Sequence, residues 1–155
     1  MAVKGSLLTI ELPLKPHREQ EKDLNLILSA CRYVHNELTA YCNDILKMNR
    51  GIRREFTEDG PSWDSDGLVT PVEYLQLPSG FDLAGMAGEI RNRTPGMRDA
   101  YAACVRKVGI DVGKNVSRFF DDIKNGVRRG LPRFKSEDRF DTFTYPDSSR
   151  YHFGK

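Results

Sequence analysis

"VGIDVGKN", residues 108–115, reads in two ways that lead to different proteins. As a strand it would end on an aspartate, Asp111, able to hold a catalytic metal ion, with a glycine leaving room beside it. As a helix its valines join Met97, Tyr101, Cys104, Val105, Val116 and Phe119 in one apolar stripe that continues through Phe120 to Ile123. Helical placement of Gly109 and Gly113 costs about 1 kcal/mol each relative to alanine. Each large apolar side chain buried along the stripe returns about 1.5–3 kcal/mol before entropy. The helix is favoured, and Asp111 falls on its surface. Thr94-Pro95 supplies a start signal for it, and Asn125-Gly126 a C-terminal cap.

Upstream, Leu24, Ile27, Leu28, Cys31, Val34, Leu38, Tyr41, Cys42 and Ile45 recur at steps of three, four and one, the mark of a second long amphipathic helix. It is expected to begin near Glu19 and to end near Asn49, with Gly51 just beyond. Residues 50–69 show neither helical nor strand period and read as a surface loop, pinned by Trp63. Thr70-Pro71-Val72-Glu73 has the composition of a helix start, predicting a short helix to about Leu77, and another is expected over Phe81 to Arg93.

Strand patterns occur only near the two ends. Leu8, Ile10, Leu12 and Leu14 alternate with Thr9, Glu11 and Pro13, and Phe140, Thr142 and Thr144 alternate with Asp141, Phe143 and Tyr145 before Pro146. The expected fold is therefore mainly α with a small β part: a helical bundle with two long helices, flanked by strands that something else must complete, since an isolated pair is marginal in water.

Composition narrows the function. The 155 residues suit one domain able to bury a core without staples. Cys31, Cys42 and Cys104 form no CxxC pair and read as buried small hydrophobes in a reducing compartment. The first twelve residues are too short and interrupted for a secretory signal, and no apolar run approaches a membrane span. A cytoplasmic protein, with no membrane partner, is expected. The net charge of +2 hides an asymmetry: residues 1–90 carry nine Lys/Arg against fourteen Asp/Glu, and 91–155 carry fifteen against eight. A polyanion facing the second half is the natural partner.

Lys124, Arg128, Arg129, Arg133 and Lys135 fall within twelve residues after the second long helix, with Phe134 between the last two. Cations on a glycine-relaxed hinge can follow a phosphate backbone, and an adjacent aromatic either stacks on a base or anchors the hinge to the core. For Phe134 the core is favoured. These six residues are the candidate nucleic-acid-binding site.

No catalytic residue, cofactor or metal site is expected. Asp111 has the DxG setting of the first strand of ribonuclease-H-like nucleases, yet such cleavage needs several converging carboxylates, and those downstream lie among the arginines. There is no GxGxxG, P-loop, GxSxG or HExxH pattern, and His17, His35 and His152 are scattered singly.

Phe119-Phe120, the basic hinge, Gly130-Leu131-Pro132-Arg133-Phe134-Lys135-Ser136 and Phe143-Thr144-Tyr145-Pro146 occur in an order that resembles the N-terminal part of the TnpB (OrfB) proteins of insertion sequences, relatives of compact type V CRISPR effectors. "LKPHREQEKDLNLIL", residues 14–28, and "CRYVHNEL", residues 31–38, add to the likeness. The resemblance implies an RNA-guided DNA endonuclease whose helical recognition region is inserted in a wedge β-barrel ahead of a RuvC nuclease domain and a zinc ribbon. On that basis residues 1–16 would be the first barrel strand, 17–126 the recognition helices, and 127–155 the hinge and returning strand of an incomplete barrel. The RuvC carboxylates and CxxC pairs of the family are absent here, so what the resemblance implies for this chain is contact with guide RNA, target DNA or both, without catalysis by itself, and a partner in the remaining barrel and nuclease part of a parent protein. The alternative is a helical interaction module whose open sheet edge docks onto a separate protein.

Overall fold

Val108 to Asn115 is helical throughout. The computed structural model describes residues 13–58 and 74–146, in three helices: α1 (Arg18–Glu58), α2 (Gly80–Arg93) and α3 (Ala102–Lys124). The two glycines of the deciding stretch lie where α3 crosses α2. A β-carbon at Gly109 would come within 2.4 Å of the Leu83 carbonyl oxygen, and one at Gly113 within 2.8 Å of the Gly80 α-carbon. These glycines serve close backbone approach of two helices, and Asp111 lies on the flank of α3, where its carboxylate pairs with Lys107 one turn earlier.

The core forms where the three stripes meet. Cys31, Val34, Leu38 and Cys42 of α1 pack with Leu83, Ala87 and Ile90 of α2 and with Cys104, Val105, Val108, Val112 and Val116 of α3. All three cysteines are buried and free, as their spacing suggested. Burial pushes the Cys31 thiol up to about 12, with Cys104 alongside adding to it, and raises Cys42 to about 11.

Helix ends depart from the sequence-based expectation in three places. α1 runs through Gly51 to Glu58 instead of ending near Asn49. A single mid-helix glycine costs only about 1 kcal/mol, and Gly51 lacks the left-handed backbone that ends a helix; among the described residues only Gly96 and Gly126 have positive φ. Thr94-Pro95 closes α2 instead of opening α3. Thr94 caps α2, its hydroxyl donating to the Ile90 carbonyl at 2.7 Å, while the Arg91 guanidinium binds the carbonyls of Arg98 and Ala100 and holds the connecting turn until Tyr101 begins α3. Leu75 to Ser79 is not helical; Asn49 exchanges two hydrogen bonds with the Leu75 backbone, at 2.8 and 2.9 Å, and keeps that segment extended. The helix expected over Phe81 to Arg93 is present, opened at Gly80 by a capping box of Ser79 and Asp82. Asn125-Gly126 ends α3 as predicted, Gly126 at φ 75°.

The β part of the expected α+β fold is not found. Helix accounts for 66% of the described residues, which contain no strand, sheet or barrel. The first expected strand lies largely outside the described residues. The last, Phe140 to Tyr145, is irregular after a single 3-10 turn at Glu137–Arg139. Its aromatics explain why. Phe140, Phe143 and Tyr145, spaced by three and two, all pack on the helical core, Tyr145 stacking on Tyr101 at 4.6 Å and Phe140 meeting the His35 ring edge-on at 5.9 Å. Burying both expected faces on one surface breaks the alternation a strand needs, and no neighbour offers a ladder. Among the described residues there is accordingly no sheet edge. Of the loop expected over residues 50–69, the part to Glu58 is helical and the rest, with Trp63, lies outside the described residues.

Candidate nucleic-acid interface

Residues 127–139 return along α1 in the opposite direction, and asparagines of α1 hold them. Asn43 Nδ2 donates to the Pro132 carbonyl at 2.9 Å. Asn36 donates to the Lys135 carbonyl at 3.0 Å and accepts from the Lys135 amide at 2.8 Å, the two bonds a paired strand would otherwise make. One step further, Glu137 meets the Arg32 guanidinium at 3.6 Å.

This suspension leaves a groove of about 420 Å³ between α1, α3 and the returning segment. Buried His35 and Thr39 of α1 and Asn115 of α3 contribute to its lining. Arg118 borders it from α3, and Arg129, Arg133 and Lys135 border it from the segment. Extended backbone turns alternate side chains to opposite sides, so Arg133 and Lys135 share the groove while Phe134 between them is turned out, 58% exposed. That corrects the expectation that Phe134 is core; the aromatics that anchor the segment are Phe140, Phe143 and Tyr145.

The six candidate residues thus separate. Arg129, Arg133 and Lys135 converge on the groove, Arg129 with its charge partly met by Asp122 of α3. Arg128 lines a shallow depression with Ile123, Val127 and Gly130 beyond the end of α3. Lys124, the last residue of α3, borders neither, and Phe134 stands on the outer face. Sequence reasoning missed Arg118, and with it Lys107 and Arg139, which line a neighbouring cavity. A signal was there: Lys107, Asp111, Asn115 and Arg118 follow at steps of four, four and three, a polar ridge on α3.

Among the described residues no ion pair neutralises Arg118, Arg133, Lys135 or Arg139. His35 has its pKa lowered, chiefly by burial, with Lys135 pushing the same way and Asn36 and Asp111 opposing. A neutral imidazole under a cationic rim can donate or accept a hydrogen bond without adding charge. The described residues contain no group of three or more His, Cys, Asp or Glu side chains placed to hold a metal ion, and none of their helices is long and apolar enough to cross a membrane. No family model, curated protein or solved structure matches this chain.

Proposed function

We propose that this chain is a nucleic-acid-binding module that holds a phosphate backbone in the groove between α1, α3 and the returning segment, and that it performs no catalysis by itself. One observation carries the reading: Arg118 of α3 and Arg129, Arg133 and Lys135 of the segment, on two different elements, face one concavity. Cations converging from two elements track a backbone, whereas a merely solvated charge run spreads over a convex face. The TnpB-like sequence elements add a context in which the ligand is guide RNA or target DNA and the partner is the remainder of an RNA-guided endonuclease. The motif carrying most of that likeness, Pro132 to Lys135, is the stretch that presents the cations.

Fluorescence anisotropy with labelled oligonucleotides tests this. Arg133→Glu together with Lys135→Glu should weaken binding at least tenfold and flatten the dependence of log K on log salt by about 1.4 for a single strand or about 1.8 for a duplex, the share of two phosphate contacts. Lys47→Glu, an exposed site on α1 outside the groove, is the control. Equal binding by the double variant and the control would overturn the proposal.

A further inference from the structure

Beside the basic groove lies a second cavity, of about 230 Å³, and the two share His35, Asn115 and Lys135 as lining residues. They adjoin, and together they line one path under the returning segment along a flank of α3. Its lining on α3 extends from Cys104 to Phe119, a path of about 22 Å at the helical rise of 1.5 Å per residue.

Charge and polarity are distributed unevenly across this channel. Cations stand along both banks, Lys107 and Arg118 on α3 and Arg129, Arg133, Lys135 and Arg139 on the segment. Its one acidic lining residue, Asp111, is already paired with Lys107. Between the banks α1 presents buried, neutral His35 and Thr39, while exposed Asn115 on the α3 bank and Thr142 and Thr144 on the segment add further neutral polar groups. A surface that only gripped a duplex would need the banks and not the polar floor, because a duplex keeps its base edges in its own stack and shows phosphates to a flat cationic face. Neutral donors and acceptors set below phosphate-binding side chains suit unstacked bases, whose edges are free to hydrogen-bond. Phe134, turned outward beside Arg133 and Lys135, adds an exposed ring on which a base leaving the channel can stack.

From this arrangement we infer that the ligand is single-stranded, of ribose or deoxyribose type, lying in the channel with phosphates on the banks and bases toward His35, Thr39 and Asn115. The ~22 Å path takes about six nucleotides at most, the number at the 3.4 Å spacing of a stacked strand, and fewer where bases unstack. The inference rests on the nucleic-acid reading above and narrows it.

The test uses the full chain at low salt and labelled mixed-sequence strands of about two to twelve nucleotides, in RNA and DNA series, beside a blunt duplex of about twelve base pairs. Affinity should climb with length and level off at or below about six nucleotides, and the longer single strands should bind at least tenfold more tightly than the duplex. Arg118→Glu with Arg139→Glu, one at each end of the channel, should cost the single strand at least tenfold. Because the length series needs no variant, it stands even if that double substitution harms folding. Duplex binding as tight as single-strand binding would overturn the channel assignment while leaving nucleic-acid binding in place. Absence of binding to every strand and to the duplex would overturn both.

Discussion

Replacing Gly109 with alanine tests the packing that decides the fold. In a free helix the change is favourable by about 1 kcal/mol. Here the new methyl would sit 2.4 Å from the Leu83 carbonyl oxygen and 2.5 Å from the Ala84 amide nitrogen, both backbone atoms of α2. Backbone has no rotamer to yield, so α2 must retreat by about 1 Å to restore ordinary van der Waals contact, loosening Leu83, Ala87 and Ile90 from the core. Overpacking of this kind costs about 1–3 kcal/mol, at the upper end where backbone must move. After the propensity gain, Gly109→Ala should lose about 1–2 kcal/mol, lowering Tm by roughly 3–8 °C for a chain of this size. Gly113→Ala, whose nearest contact is 2.8 Å, should lose less. Gly85→Ala is the matched control: it lies in α2 with nothing within 4 Å of its would-be β-carbon, and should gain about 0.5–1 kcal/mol. Urea unfolding followed by far-UV circular dichroism gives all three. If Gly109→Ala were as stable as the parent while Gly85→Ala behaved as expected, α2 and α3 would not cross at these glycines, and the deciding stretch would need another explanation.

Three further outcomes follow from single side chains. Asp111→Ala removes an i,i+4 ion pair whose carboxylate side is 44% exposed, so stability should fall by no more than about 0.5 kcal/mol and single-strand binding should hold or tighten; a loss beyond about 2 kcal/mol in urea unfolding would show a role the ion pair does not describe. Asn36→Ala deletes both hydrogen bonds to Lys135, about 1–2 kcal/mol together at a part-exposed site, and trypsin should then cut after Arg133 and Lys135 several-fold faster while the helical core persists; an unchanged rate would mean the segment is held by something else. His35 has a folded-state pKa below its ordinary value because it is buried, so the unfolded chain binds the proton more readily: stability should be steady above about pH 6.5, fall as the pH drops through 6.5 toward the folded value, and then level off. His35→Leu should flatten that slope in urea midpoints collected across the range, and an equal slope in the variant would place the titrating group elsewhere.

The helical stripes were legible because burial repeats them: the positions predicted from Cys31 to Cys42 and from Cys104 to Phe119 are the ones that meet in the core. What local pattern could not supply was competition from tertiary partners. Gly51 resembles a helix end, yet α1 passes through it. Thr94-Pro95 carries an N-terminal signature, and Ile90 and Arg91 recruit it as a C-terminal one. Phe140 to Tyr145 has strand composition, but aromatics on both faces find the same helical surface before any strand finds them. At the site, Arg129, Arg133 and Lys135 were visible as a cluster in sequence, whereas Arg118 reaches the groove only through the path of the chain. Phe134 was expected in the core, and it is turned out because Asn36 and Asn43 fix the register of the segment along α1.

Those two asparagines account for the register of a returning segment that has no sheet. Seven residues of α1 separate them, about 10.5 Å at 1.5 Å per residue, and their targets, Pro132 and Lys135, are three residues apart, about 10 Å in extended backbone. The two spacings agree only while the segment is extended, and they agree in one register. Sliding it by a residue would turn Arg133 and Lys135 outward and Phe134 into the groove, breaking three hydrogen bonds at once. Proline at 132 suits the position, since its carbonyl is the bonded atom and it has no amide to leave unpaired. Asn36 and Asn43 therefore do for the cationic bank what a neighbouring strand does in a sheet: they fix which side chains face the groove. Being side chains of a helix, they fix it relative to α1, on whose flank His35 and Thr39 form the floor. The distance of Arg133 and Lys135 from His35 and Thr39 is thus set by α1, and a site that discriminates by shape requires that kind of constraint.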